Sequence, residues 1–376
     1  MVVGFEAKRL FRNFTGLGNY GRFIVSALSE YYPEDKFLLY TPFTSDHPDV
    51  KPLLTKKNIE VIASSPLYRK LHLTSLWRSW LVKNEPTIST INVFHGLSGE
   101  LPVGLPSDIK QVVTIHDLIF LRYPQFYKSL DVAIYKAKAL SACNRADRII
   151  AISDQTKNDI HEFLRIPENK ISVVYQGCHH NFLRRAAADE LVDIKKKYGL
   201  PDRYLLNVGT VEPRKNIEII IEAMHGQGSS VRIPLVVVGK VTPYKEKLVS
   251  LIRKYKLERD VHFLHDTPFP DFPAIYQGAT AFVYASVFEG FGIPLLEAIM
   301  SRVPVIAPNG SCFREAAGPA SVYYNLDRVD ELTASISDLV NNREKAEHMI
   351  VNSLAFARQF EPATIAHNVR ELYNSL

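Results

Sequence analysis

The 376-residue chain has only three cysteines, Cys143, Cys178 and Cys312, scattered and odd in number. They support neither a disulfide framework nor a CxxC metal site, and they fit a reducing compartment. No apolar run approaches the roughly 18 residues that a membrane-spanning helix needs. Residues 1–20 lack the apolar core of a signal peptide, so a cytoplasmic protein is expected. Low-complexity tracts and short-period repeats are also missing. The apolar content of 46% and ordinary glycine and proline counts describe a soluble globular chain with enough material for two cores.

Charge is unevenly placed. Met1 to Arg184 holds 23 Lys and Arg against 17 Asp and Glu, a balance of +6, whereas the remainder holds 22 against 23, a balance of −1. A basic first half suits an anionic partner such as a membrane surface, a phosphorylated acceptor or nucleic acid. A harmless surface excess explains it equally well.

Apolar strands alternate with helical stretches along the whole chain, which implies parallel sheets covered on both faces. In the first half, strands are expected at Val2–Phe5, Lys36–Tyr40, Asn58–Ile62, Ile91–Phe94, Gln111–Ile115, Arg148–Ile152 and Ile171–Tyr175. Gly16-Leu17-Gly18-Asn19-Tyr20-Gly21 has the form GxGxxG. It begins about ten residues beyond the first strand, and no ribose-binding acid follows the second, so it is a substrate-loop candidate and not a dinucleotide fingerprint. Pro66–Asn84 reads as one amphipathic helix, with Leu73, Leu76, Trp77, Trp80 and Leu81 on one side and Arg69, Lys70, Arg78 and Lys83 around it. Such a helix could lie on an anionic membrane. The commoner arrangement, packing on its own sheet with a solvated basic face, is the one expected here. His95 and His116, the latter followed by Asp117, each sit just past an apolar strand, where open α/β sheets bind ligands.

Residues 181–193 read as a hinge. A second series follows, with strands at Tyr204–Gly209, Leu235–Val238, Val261–Leu264, Ala281–Tyr284, Val303–Ile306 and Ala320–Tyr323, and Phe360–Leu376 as a final amphipathic helix. Ala281–Ser301 joins a strand to a helix through Gly290 and Gly292, with Glu289 before the loop and Glu297 one turn into the helix. A glycine loop feeding a helix N-terminus favours an anion, and a nearby carboxylate accepts hydrogen bonds from hydroxyls. Phosphate and polyol together suggest a nucleotide sugar. Arg214 and Lys215, stiffened by Pro213, follow the first strand of this half and could neutralise a diphosphate.

The segments Gly209–Asn216 (GTVEPRKN), Glu289–Ala298 (EGFGIPLLEA), Thr114–Leu118 (TIHDL) and Ala146–Ser153 (ADRIIAIS) occur in the order found in glycosyltransferase family 4. Over nearly its whole length the chain resembles the retaining enzymes of that family, above all the bacterial mannosyltransferase-like members that build O-antigens and capsules. The resemblance implies the GT-B fold: two Rossmann-like doubly wound domains facing across a cleft. It places the acceptor-binding domain at 1–184, the nucleotide-sugar domain at 185–359, and a helix crossing back at 360–376.

It also implies roles. Glu289 contacts the transferred sugar and Glu297 the ribose. Gly290, Phe291 and Gly292 reach sugar and phosphates, and Arg214 and Lys215 hold the diphosphate. His116 lies beside the donor sugar, and Gly16 and Gly18 lie near the phosphates or the acceptor. Asn19, His95 and Asp117 are weaker acceptor-side candidates. Many members place Arg where this chain has Thr210, and Arg214 is expected to supply that charge beside Thr210 in the donor site.

No Asp-x-Asp pair occurs, so protein cations and not a divalent metal are expected to neutralise the diphosphate, with no cofactor and no metal ligand. The expected partners are a nucleotide sugar, such as GDP-mannose, and a saccharide acceptor, lipid-linked at the inner membrane leaflet if the basic half serves it. A nucleotide-sugar epimerase or sugar phosphorylase on the same fold is the alternative. A nucleic-acid or sugar-binding module would leave the two-Glu loop unexplained, so no nucleic-acid partner is expected.

Overall fold

A computed structural model describes residues 1–227 and 232–376, and the chain divides into two compact units. Residues 1–177 and 359–376 form the first, and 178–358 the second. The division falls at Gly177 and Cys178, ahead of the position 184 expected from sequence. The segment just past it belongs to the second unit because Phe182 is buried there against Phe269 and Tyr276.

The first unit is built on seven parallel strands: β1 (Val2–Glu6), β2 (Lys36–Thr41), β3 (Ile59–Ala63), β4 (Val93–Gly96), β5 (Lys110–Ile115), β6 (Arg148–Ala151) and β7 (Ile171–Val173). Their order is β3-β2-β1-β4-β5-β6-β7. The second has six parallel strands: β8 (Leu205–Val208), β9 (Leu235–Val238), β10 (Val261–Leu264), β11 (Ala281–Val283), β12 (Val305–Pro308) and β13 (Val322–Tyr324). Their order is β10-β9-β8-β11-β12-β13. Each sheet reverses its winding once, between β1 and β4 and between β8 and β11. In doubly wound sheets the crevice outside the carboxyl ends at that point takes the ligand.

Several strands, such as LVVV at β9, are apolar on every residue because helices cover both faces. The last helix, Pro362–Asn374, buries Ile365, Val369 and Tyr373 within the first unit and packs on the helix Gly16–Tyr31. Arg370 there meets Asp35 at 2.6 Å, and the terminal ammonium of Met1 shares the same carboxylate. Among the described residues no helix is long and apolar enough to cross a membrane.

The stretch 66–84 departs from the continuous helix that its periodicity predicts. A short helix, Pro66–Lys70, stops where His72 takes left-handed backbone (φ 56°) and Leu73 N–H bonds back to the carbonyl of Tyr68 at 2.8 Å. That six-to-one bond around a left-handed residue is a helix-stop motif. A wide turn, Trp77–Leu81, and a tight turn, Val82–Asn84, follow. Trp77 is buried, with its indole N–H on Glu85 at 2.8 Å, whereas Leu73, Leu76 and Trp80 are exposed. Arg78 is likewise not on a solvated face, since it pairs with Glu6 and Glu100.

Candidate active site

In the second unit, the segments after β8 and β11 are neighbours because those strands pair across the point where the winding reverses. Sequence separates them by some seventy residues, and the sheet brings their ends together. After β8 the chain runs Gly209-Thr210 and then a single tight turn, Pro213–Lys215. Gly209 leaves room for the Lys215 stem, whose Cε would stand 3.3 Å from a Cβ there. After β11 come Ser286 and Glu289, then Gly292, whose left-handed φ of 98° starts the helix Ile293–Met300. A side chain at 292 would be strained by that backbone and would crowd Leu295.

Glu289 is the centre of the resulting cluster. Its Oε1 lies 2.5 Å from Lys215 Nζ and 2.8 Å from Arg214 Nη1, and accepts from Ser286 Oγ at 2.6 Å. Burial alone would raise its pKa, but Lys215 and Arg214 outweigh that and hold it down at about 2. Arg214 also reaches the Phe288 carbonyl at 2.7 Å and Glu212 at 2.8 Å. The Glu289 carbonyl lies 3.2 Å from both Ser311 Oγ and Cys312 Sγ, so the loop is pinned from both ends.

Glu297 has no such cations around it. It is 9% exposed and accepts the Tyr276 hydroxyl at 2.9 Å. Burial raises its pKa to about 7, with the Tyr276 hydroxyl working against the rise. Phe291 is buried within this loop. Thr210 is partly exposed just past β8, beside the bridge that Val211 makes to Val241.

The first unit sorts its candidates differently. His116, just past β5, has Nε2 at 2.9 Å from the Leu97 carbonyl, so that nitrogen donates and Nδ1 remains an acceptor. Burial lowers its pKa to about 4, the Leu97 carbonyl opposes the fall and Arg9 adds to it, so the ring is neutral near pH 7. Tyr20 stands edge-on to it at 4.6 Å. Asp117 caps the following turn by accepting Ile119 N–H at 3.1 Å.

His95 departs from its expected place. It lies inside β4, fully buried, with Nδ1 2.6 Å from the Tyr373 hydroxyl and Nε2 2.8 Å from Thr114 Oγ1. Both ring nitrogens are occupied, so it is a core residue joining the last helix to the sheet and not an acceptor contact. The Asn19 side-chain oxygen is taken by Arg22. Gly16 opens the helix Gly16–Tyr31 with nothing against it, whereas Gly18 lets the Asn13 carbonyl approach so closely that a Cβ would sit 1.7 Å away. Gly18 therefore serves packing. Ser286, Tyr276, Ser311 and Cys312 were not singled out from sequence; only Ser286, three residues before Glu289, carried a local signal.

Two family models account for most of the chain. "Glycosyltransferase Family 4" matches residues 26–182, and "Glycosyl transferases group 1" matches 192–355. This chain belongs to glycosyltransferase family 4. The "O-antigen chain mannosyltransferase B" of Escherichia coli is 27% identical over 376 residues, covering 96% of each chain. The "Serotype-specific mannosyltransferase WbdA" of Escherichia coli is 28% identical over 77% of this chain, but that match spans only 37% of the longer protein. The crystal structure of Anabaena Alr3699/HepE in complex with UDP and glucose superposes over all of both chains with a TM-score of 0.75 at 18% identity. The fold is GT-B, and the protein is a glycosyltransferase.

Proposed function

We propose that this glycosyltransferase moves a hexose, mannose from GDP-mannose, onto a hydroxyl of a lipid-linked saccharide in cell-surface polysaccharide synthesis, with retention at the anomeric carbon. The observation that carries the reading is Glu289 gripped by Lys215 and Arg214 beside the glycine loop. It supplies a fixed negative charge for a sugar and two cations for a diphosphate within one cluster. The mannose and the polysaccharide pathway follow the relatives' names, and the guanine base follows the family resemblance of the sequence.

In this reading the anomeric carbon–oxygen bond to the diphosphate breaks first, with oxocarbenium character on the sugar and growing negative charge on the leaving group. Arg214, Lys215 and the N–H groups of the 290–292 loop meet that charge, a stabilisation worth ~3 kcal/mol per donor. No divalent metal is required. The acceptor oxygen attacks from the face the nucleotide leaves, and a donor phosphate oxygen takes its proton. Glu289, held at a pKa of about 2, is a weak nucleophile and acts as an ionised electrostatic partner of the sugar. Glu297 accepts the ribose hydroxyls.

The test is nucleotide diphosphate release from GDP-, UDP-, dTDP- and ADP-sugars, with and without a lipid-linked acceptor analogue, in the presence of a chelator. Acceptor-dependent release from GDP-mannose is expected. Conversion of the donor alone into another nucleotide sugar would replace transfer by epimerisation, and arrest by the chelator would overturn the metal-free mechanism.

A further inference from the structure

We propose that Lys240, just past β9, is a further cation of the donor site and binds the diphosphate of the nucleotide sugar. This deepens the reading of a nucleotide-sugar site and rests on it for the ligand, but its evidence is a balance of charge and a strand register. The Glu289 cluster is neutral as built. Arg214 meets Glu289 and Glu212, each at 2.8 Å, and Lys215 meets Glu289 at 2.5 Å, so two cations face two carboxylates. A diphosphate adds negative charge that this cluster does not balance, and unbalanced charge is costly away from water.

The register of the sheet brings a third cation to the same edge. β8 and β9 pair from Leu205 and Leu235 to Val208 and Val238, and the ladder resumes at Val211 and Val241. Between these points Gly209 N–H bonds to the Val238 carbonyl at 2.9 Å and Val211 N–H to the Lys240 carbonyl at 2.8 Å, so Thr210 and Lys240 stand level. The approach depends on Gly239, where a Cβ would sit 2.0 Å from the Gly209 carbonyl oxygen. Level residues of paired strands share a face, about 4.8 Å apart. Lys215 lies along Gly209, the residue before Thr210, and also touches Glu289. Lys240 therefore stands one strand over from the cluster.

Lys240 is also uncommitted. It is exposed, and among the described residues it takes part in no ion pair. Asp266, level with it on the other side by the β9–β10 register, makes no pair with it either. Other lysines nearby in sequence are engaged: Lys245 lies over the Phe263 ring and Lys247 meets Glu218 at 2.8 Å. The Thr210 hydroxyl likewise has no hydrogen-bond partner among the described residues. A free ammonium on a flexible stem beside a free hydroxyl suits a phosphate, which accepts from both.

Calorimetry of the full chain with GDP and UDP, and with GMP and UMP, reads this charge directly. Lys240→Met is expected to weaken the diphosphate that the parent binds better ~10-fold and the matching monophosphate less than ~3-fold. The salt dependence of diphosphate binding is expected to flatten with it. Lys240→Arg is expected to return affinity to within ~3-fold of the parent, and so is Thr210→Arg/Lys240→Met, which moves the cation to the level position. Lys245→Met, an equal loss of charge elsewhere in the unit, is expected to bind as the parent does. In the transfer assay kcat/KM should fall ~100-fold in Lys240→Met, part of it in kcat, because charge grows on the leaving diphosphate. Acceptor-independent conversion of the donor, with diphosphate affinity still dependent on Lys240, would refute the transferase reading alone. Three results would each overturn this proposal: no diphosphate binding by the parent, unchanged diphosphate affinity in Lys240→Met, or equal losses for diphosphate and monophosphate.

Discussion

The loop after β11 and the helix it feeds carry two carboxylates eight positions apart, and their surroundings push them in opposite directions. Glu289 sits among Lys215, Arg214 and Ser286 and is held at about 2. Glu297 sits in apolar surroundings with one hydroxyl for company and rises to about 7. The difference follows from cations and not from depth alone, since burial acts upward on both. Its consequence for stability has opposite signs. Glu289 contributes stability that is present above its ordinary 4.5 and lost as pH falls toward 2. Glu297 favours folding fully below 4.5, and that contribution disappears as pH rises through about 7. One loop thus keeps a permanent negative charge, and a few residues on keeps a carboxyl whose proton is available to be released.

The largest effect is expected from removing the permanent charge. Glu289→Ala should lower transfer by ~10³-fold or more while nucleotide affinity, read by calorimetry, stays within a few-fold. Equal loss of binding and turnover would show that Glu289 orders the whole loop, and the contrast with Glu297 would collapse. Next comes Lys215→Met, which deletes the cation 2.5 Å from Glu289. Transfer should fall ~100-fold. Because Lys215 holds the Glu289 pKa down, its loss should also move the acid limb of the kcat profile to higher pH. An unmoved acid limb would mean that Arg214 alone sets the ionisation.

Much of this contrast was readable before the fold. The glycine loop, both glutamates and the Arg214–Lys215 pair are local patterns, and apolar strands ending in Gly or His mark the carboxyl edges of the sheets. What sequence could not supply was pairing across distance. Tyr276 meets Glu297 from twenty-one residues away, and His95 is claimed by Tyr373 from 278 away, which turned a strand-end histidine into a core one. The 66–84 stretch failed for another reason. Its apolar spacing is helical, but a left-handed His72 and the tethers at Trp77 and Arg78 decide its path, and neither leaves a periodic trace.

A smaller effect separates the second carboxylate. Hydroxyl donors favour the ionised form, so nucleotide binding should lower the Glu297 pKa and release up to ~0.5 proton at pH 7. Calorimetry in buffers of different ionisation heat measures that proton. Glu297→Gln should abolish the release and weaken nucleotide binding ~10-fold, as expected for hydrogen bonds to a charged group. The unliganded variant should also gain stability over the parent at pH 8, by roughly 3 kcal/mol at most, with the gap closing toward pH 4.5. A gap that stays constant with pH would mean that Glu297 does not titrate in this window.

The smallest change, Tyr276→Phe, tests the cause of the Glu297 shift directly. The hydroxyl donates to Glu297 Oε2 at 2.9 Å and works against the rise that burial imposes. Without it the carboxyl pKa should climb further, so at pH 7 a larger share of the free protein must give up a proton before the ribose can be accepted. Nucleotide affinity should then fall ~3-fold at pH 7 and recover at pH 8.5, where both proteins are ionised at that position. The sign separates two explanations of the same weakening. A lost packing contact would weaken binding equally at both pH values, whereas a shifted proton weakens it only where the proton remains bound.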